Sequence, residues 1–523
     1  MIRLGKLWHT QGTVHVCGYL QHPTQGFLEA ASLAEYFSRI TDEAALASEL
    51  SKANGCFALV VENANGILAA VDRLRSIPLF WDQSGNLADK SEALAHLNLK
   101  SLASPEILSE FLMAGFVTGS DTLHKELKQI PAGHYLALNH GQSPQLKCYY
   151  RFLHNASSSQ SVEDWIEQQH TLLLQVARDT LNSLNERPVV IPLSGGYDSR
   201  LLAYLFKTLK YPRIYTYSYD SRRHAESRIS QRVAEHLALP WHFIDHSHRS
   251  WYQAFQSQAR RDFYAFIVNA SSSAHVQDWL AVQELQKRKL IPSDSVFIPG
   301  HSADFLEGSH LPGIYATQKV FNRAELQQQI ISFHYRLWPN PSYRELEAFR
   351  ARIQSHIQVP ESLDASQAAS SFEYWDLQER QAKFIVNSLR VYESLGYQWR
   401  MPFWDARLMD FWAAVPLQLR LNRKLWLLFA QKHLPIPIPV YKHPPFCTRA
   451  LDKLLRIAFG ELRNVRYGRF AEYRNPLYFA RQKVANYMRT DLDYPSFING
   501  NRALIRCDLN ALQALIAIYE LDS

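Results

Sequence analysis

A chain of 523 residues, 47% hydrophobic and 20% charged, has the material for two or three buried cores and the balance of a globular protein. A formal charge of +7 is mild at this length, and no long run of lysine and arginine occurs, so nucleic acid is not expected as a partner. The five cysteines are isolated, with no CxxC pair, which argues against a disulfide framework or a zinc site; no signal-like stretch opens the sequence and no apolar run approaches about eighteen residues, so a cytoplasmic protein without a membrane span is expected.

Up to about residue 150 the sequence is strand-like. "TVHVCGYL", "GCFALVVE", "GILAAVD", "PLFWDQ" and "HYLALNH" are short β-rich runs between turn residues, with helical segments around 29–51 and 104–114. "HNASSSQS" (154–161) is a small-polar stretch of the kind that links domains. A helix is predicted over 162–185, then a strand and loop in "PVVIPLSGGYDSRLLAYLF" (188–206), then a helix from about 199. "RIYTYSYD", "WHFIDH" and "SVFIPG" read as further strands, with "AESRISQRVAEHLAL" a helix between the first two. This alternation predicts an α/β fold with a doubly wound parallel sheet. From about 320 onward the pattern is almost all helical. The basic, aromatic stretch "RIAFGELRNVRYGRFAEYR" reads as solvated helix faces whose aromatics pack inward.

The loop after the first of these strands carries the chemistry. A parallel strand ending in a Gly-rich turn that opens a helix leaves backbone N–H groups pointing out of the carboxyl edge of the sheet, where the helix dipole also favours an anion. Gly195 and Gly196 let the backbone approach phosphate oxygens, and Ser194 and Ser199 add hydroxyl donors. Asp198 beside an anion makes sense with a divalent cation between them. The loop is neither G-x-x-x-x-G-K-[ST] nor G-x-G-x-x-G.

SGGYDS resembles the pyrophosphate loop of enzymes that cleave ATP to AMP and pyrophosphate. Among these, the chain resembles the asparagine synthetase family, which includes the β-lactam synthetases. The resemblance runs in order through "AESRISQRVAEHLALPWHFID", "PGHSADFLEGSH", "ERQAKFIVNSLRVYESLGYQWRMPFWDARLMDFWAAVP" and "YKHPPF". It implies an ATP-dependent, AMP-forming amide ligase that adenylates a carboxylate (aspartate or a sugar uronic acid) and passes the acyl group to ammonia or an amine. Leu193, Ser194, Gly195, Gly196, Asp198, Ser199, Ser218 and Gly300 then match ATP-binding positions, Asp198 and Asp304 match magnesium ligands, and Lys442 matches the lysine that reaches the phosphates. Arg400 and Asp405 are expected to form a structural ion pair within their Pro-containing turn. His301, His310 and Gln398 depart from the family at positions expected to face the acyl substrate. His301 and His310 are candidates for the base that takes the amine's proton, and His310 is placed with Lys442 as catalytic.

Residues 1–153 resemble the family's glutaminase domain, an Ntn-hydrolase-like αββα fold of two antiparallel sheets, carried by "GCFALVVENANGILAAVDRLRSIPLFW" and "TLHKELKQIPAGHYL"; residues 162–523 are assigned to the synthetase domain with its helical C-terminal part. The family's nucleophile is a cysteine exposed by removal of the initiator Met, with its own α-amine as base. Ile2 stands there, and Cys17 lies inside a predicted strand as a core residue, so the domain is expected to be degenerate and structural. Expected ligands are ATP, Mg²⁺, a small carboxylate and ammonia or an amine. No membrane partner is expected, and a homodimer is left open. The alternative from another class is a catalytically inactive ATP-binding scaffold. A third, a tRNA-modifying ATP pyrophosphatase, shares the loop but leaves the first 150 residues unexplained.

Overall fold

The computed structural model describes residues 1–440 apart from 95–102, 157–159, 221–224, 247–249, 251–253, 255–256, 268, 274 and 338–341. Lys442, "YKHPPF", Cys447, Cys507 and the basic, aromatic C-terminal stretch therefore lie outside the described residues.

The N-terminal part is a sandwich of two sheets. Strands β1 (Ile2–Arg3), β2 (His9–Gln11), β3 (Val14–His22), β4 (Gly26–Glu29), β5 (Gly55–Asn63), β6 (Gly66–Val71), β7 (Phe80–Asp82), β8 (Leu87–Ala88), β9 (Leu127–Gln129), β10 (His134–Asn139) and β11 (Gln145–Cys148) build it. The larger sheet runs β11-β10-β6-β5-β3-β2 with β4 beside β3, and the smaller runs β1-β8-β7-β9. All pairs are antiparallel but one: β1 lies parallel to β8, a departure from the expected two antiparallel sheets. The run CFALVV of β5 is buried throughout because one face meets the second sheet and the other meets helices α1 (Ala30–Phe37) and α2 (Glu43–Lys52). The helical segment expected over 29–51 is thus two helices. Asp42 ends the break between them by accepting the Ala45 N–H as an N-cap. A third helix, α3 (Pro105–Ala114), falls where the sequence puts it.

The second sheet is wholly parallel, in the order β14-β13-β12-β15-β18. Its strands are β12 (Val189–Pro192), β13 (Ile214–Asp220), β14 (Trp241–Asp245), β15 (Val296–Phe297) and β18 (Gln398–Trp399), with α4 (Val162–Asn182) ahead of them and α5 (Asp198–Thr208) and α6 (Ala225–His236) as crossovers. The chain goes outward from β12 on one side and then returns to add β15 on the other. The carboxyl ends of β12 and β15 therefore lie side by side at the reversal of strand order, where such sheets bind ligands. The fifth strand, β18, is a two-residue exception within the almost all-helical region beyond 320. Two residues carry no usable period, and among the described residues β18 pairs only with β15. A two-stranded ribbon, β16 (Val320–Asn322) with β17 (Ser362–Asp364), is a second departure there. The helix Ala365–Asp376 continues as a π-helical segment, Leu377–Ile385, and the last described helix, Lys424–His433, packs on α4.

The two parts are joined by buried polar bonds. Lys383, fully buried in the π-helical segment, donates to the carbonyls of Val117 (2.7 Å) and Gly119 (2.9 Å) and pairs with Glu379 at 2.6 Å. Arg400 does not pair with Asp405: it takes Glu29 at 3.3 Å and lies over the rings of Tyr19 and Phe27, while Asp405 accepts from Asn54 and from Arg407. The turn faces the N-terminal sandwich, so Arg400 finds its charged partner across that boundary, while Asp405 keeps Arg407 locally and adds Asn54 from the sandwich.

Candidate active site

Two loops meet at the carboxyl edge of β12 and β15. In the first, Leu193 extends the ladder by donating to the Tyr217 carbonyl (2.8 Å), and its own carbonyl accepts the Ser230 hydroxyl (2.6 Å). Ser199 Oγ accepts the Ser194 N–H at 2.9 Å and lies 3.0 Å from Ser194 Oγ, which accepts the Gly196 N–H at 3.1 Å. These short-range bonds fold the SGGYDS turn onto the first turn of α5. The Gly195 N–H is donated to a carboxylate oxygen of Glu226 at 3.2 Å, so one loop donor already points at an anionic oxygen. Ser218, on β13, keeps a buried hydroxyl with no hydrogen-bond partner among the described residues, a polar atom suited to a ligand.

The second loop, residues 299–310, is pressed onto the first. A Cβ on Gly300 would lie 2.8 Å from the Ser199 nitrogen and 3.2 Å from the Asp198 carbonyl carbon, so only glycine permits this approach. The contact brings Asp198 and Asp304 together: the Asp304 N–H donates to Asp198 Oδ2 at 3.1 Å. Burial, and then the Asp304 charge, push the Asp198 carboxyl up to about 7, against the opposing pull of Arg423. Glu307, one helical turn beyond Asp304 and 1% exposed, joins this cluster. Burial raises its carboxyl well above the usual range although it is ion-paired to Arg423. Oxygen donors carrying more negative charge than the local cation balances are what a hard divalent ion requires, so Asp198 and Asp304 fit magnesium.

Arg423 is the cation that sequence reading missed. Its guanidinium contacts Glu307, lies 3.6 Å from Asp198 and sits near the rings of Tyr197 (5.7 Å) and Trp426 (5.8 Å). Asn422 and Arg423 both adopt left-handed backbone, with φ of 56° and 58°, a strained pair of non-glycine residues that turns the side chain back onto the loops.

His310 closes the second loop. Its Nδ1 lies 2.6 Å from Asp376 Oδ2, its Nε2 is 3.8 Å from Asp304, and Gln381 donates to the other Asp376 oxygen at 3.1 Å. Burial alone would depress the imidazole, but the fully buried Asp376 outweighs it and holds the His310 pKa above its ordinary value. His334 is the other ring beside Asp376, at 3.9 Å, and burial pushes it down to about 3. His301 differs from His310: burial drives it down to about 4, and its Nε2 lies 3.0 Å from the Ser388 hydroxyl. The expectation that Gln398 faces the acyl substrate is not met. It is exposed on β18 in register with Val296, and no hydrogen bond or ion pair joins it to either loop.

In the N-terminal sandwich Cys148 is exposed, and the partial burial of its thiol is outweighed by His134 and Arg151, which lower it to about 7. Cys17 on β3 is buried between the two sheets, and burial with the nearby Glu393 charge pushes its thiol up to about 12. The thiol of Cys56 is raised by burial as well.

The asparagine synthase family model matches residues 172–434, and a glutamine amidotransferase domain model matches 30–150. The chain belongs to the asparagine synthase family. The matched asparagine synthase segment holds both loops, His310, Asp376 and Arg423. No curated protein matches the chain. Solved structures similar to it include the following two. A structure titled as the allosteric regulatory enzyme of purine biosynthesis is 14% identical, over 56% of each chain, with a TM-score of 0.19. Glutamine phosphoribosylpyrophosphate amidotransferase from B. subtilis, complexed with ADP and GMP, is 12% identical, over 57% of this chain and 64% of that one, also at 0.19. The chain thus spans 56% and 64% of these two relatives' own lengths.

Proposed function

We propose that the protein is an AMP-forming amide ligase that activates a carboxylate with ATP and passes the acyl group to ammonia or an amine. The observation that carries this reading is the junction of the two loops: Gly300 packed on the start of α5, with the Asp304 N–H bonded to Asp198. A substrate carboxylate oxygen attacks the α-phosphorus, the bond to the bridging oxygen breaks, and pyrophosphate leaves. The donors of Ser194, Gly195, Gly196 and Ser199 receive that leaving group, with positive charge from Arg423 and from Lys442. Asp198 and Asp304 would hold Mg²⁺, which would supply further positive charge to the phosphates. The amine nitrogen then attacks the acyl carbon, the C–O bond to AMP breaks, and His310 Nε2 accepts the amine's proton while Asp376 holds the ring through Nδ1. Ser218, with its unpaired hydroxyl, and Leu193, at the end of β12, complete the nucleotide contacts in this reading. The acid is aspartate or a sugar uronic acid; the histidine at 310 and the neutral ring of His301 give its pocket a character of its own.

The test is product analysis with purified protein, ATP, Mg²⁺, ammonium and a panel of carboxylic acids. AMP and pyrophosphate, formed only with a cognate acid, support the reading. ADP and inorganic phosphate overturn it, since no P-loop lysine is present to manage a transferring γ-phosphate. Saturable ATP binding without turnover across the panel would instead support an ATP-binding scaffold.

A further inference from the structure

Away from the nucleotide loops, α4 and the last described helix, Lys424–His433, bring a second set of ligating groups together. Glu167 and His170 stand three residues apart on α4, so they share a face, and His433 ends the facing helix. One ligand atom from each of the three lies within 4.8 Å of the others. His433 Nε2 is 3.1 Å from Glu167 Oε1. The rings of His170 and His433 stack at 4.0 Å with an 18° interplanar angle, an arrangement unfavourable for two imidazolium ions. Among the described residues the His170 ring makes no hydrogen bond, its contacts being the rings of His433 and Phe429.

We propose that Glu167, His170 and His433 form a binding site for a first-row divalent transition cation such as Zn²⁺. Two imidazole nitrogens and one carboxylate oxygen select zinc, cobalt or nickel over magnesium or calcium, which prefer all-oxygen shells. A tetrahedral shell of bonds about 2.0–2.1 Å long spaces its ligand atoms about 3.3 Å apart, which side-chain rotation can reach from the spacing seen here. Three protein ligands leave a fourth position for water. The competitor for Glu167 is Lys432, which pairs with it at 2.7 Å. It also contacts Glu163, so a metal ion taking Glu167 leaves the ammonium with a partner. The site would clamp the end of the last described helix to α4, independently of nucleotide.

The experiment uses the full chain, stripped with a chelator, titrated with Zn²⁺ in competition with a chromophoric chelator and, separately, with Co²⁺ followed by its visible bands. One equivalent should bind and raise Tm, and Co²⁺ should give the bands of a tetrahedral nitrogen- and oxygen-ligated ion. His170→Ala and His433→Ala should each weaken that binding at least tenfold while leaving circular dichroism unchanged. Lys432→Met should tighten it several-fold, because it removes the ammonium from Glu167 and both imidazoles remain. Binding that is absent from the native chain, unchanged from the native chain in either histidine variant, or weaker in Lys432→Met overturns the proposal.

Discussion

The two parts of this protein treat their polar groups in opposite ways. Around the loops of the parallel sheet, carboxylates are crowded beyond what their cation neutralises: Asp198 is raised to about 7, Glu307 is held by Arg423, and Ser218 keeps an unpaired hydroxyl. In the N-terminal sandwich burial also raises a carboxyl, that of Asp72, to about 6, but this carboxylate accepts the N–H groups of Phe57, Leu74 and Ser76. The sandwich's buried thiols are held protonated, and polar groups at its edge are spent on the other part, as where the Val117 and Gly119 carbonyls accept from Lys383 or where Asn54 meets Asp405. Unsatisfied charge marks a region prepared for a ligand, and satisfied charge marks one prepared for packing.

The largest effects should come from the surplus. Asp198→Asn and Asp304→Asn each remove a charge that would hold the cation against the phosphates, and each should cost about 3 kcal/mol of transition-state stabilisation, roughly a hundredfold in AMP formation or more. Retained turnover within about tenfold would sharpen the comparison against that carboxylate. Gly300→Ala comes next. The added methyl must displace the start of α5, for which an overpacking cost of about 1–3 kcal/mol is expected; Tm should fall modestly and ATP affinity more than tenfold.

A smaller and more diagnostic effect concerns His310. Its neutral form is the base, and Asp376 holds its pKa above the ordinary value, so turnover at a fixed concentration of free amine should rise with pH through a limb above about 6.5. Asp376→Asn removes the raising charge while burial still favours the neutral ring. The limb should move to lower pH even as the rate falls, and a profile that keeps its position would show that His310 is not the group titrating. Smallest is Cys17→Ala in the sandwich. It should cost about 1 kcal/mol in denaturant unfolding and leave ammonia-dependent turnover within about a factor of two.

What the sequence made legible follows the range of the interactions. Ser194, Gly195, Gly196, Asp198 and Ser199 act within one turn of chain, so strand, loop and helix could be read together, and Asp304 sits in a second compact loop of the same kind. Asp376 and Arg423 could not be found that way, because their partners are 66 and 116 residues distant and no spacing announces them. Glu307 offered a signal, three residues after Asp304 in "DFLE", but charge at helical spacing is common on exposed faces. The Arg400–Asp405 pairing failed for a related reason: nearness in sequence suggested a partner, while the sandwich supplied Glu29 instead. Strand β18, only two residues long, is fixed by its neighbour β15 and not by its own pattern.

The contrast between a chemical part and an architectural part is tested most directly by the source of nitrogen. Purified protein would be given ATP, Mg²⁺ and its acid with either ¹⁵N-ammonium or amide-¹⁵N glutamine, and the amide product examined by mass. With the thiols of Cys17 and Cys56 buried and protonated, label should enter from ammonium alone. Label transferred from glutamine, in a preparation free of other glutaminases, would show that the sandwich performs chemistry and would contradict the division drawn here.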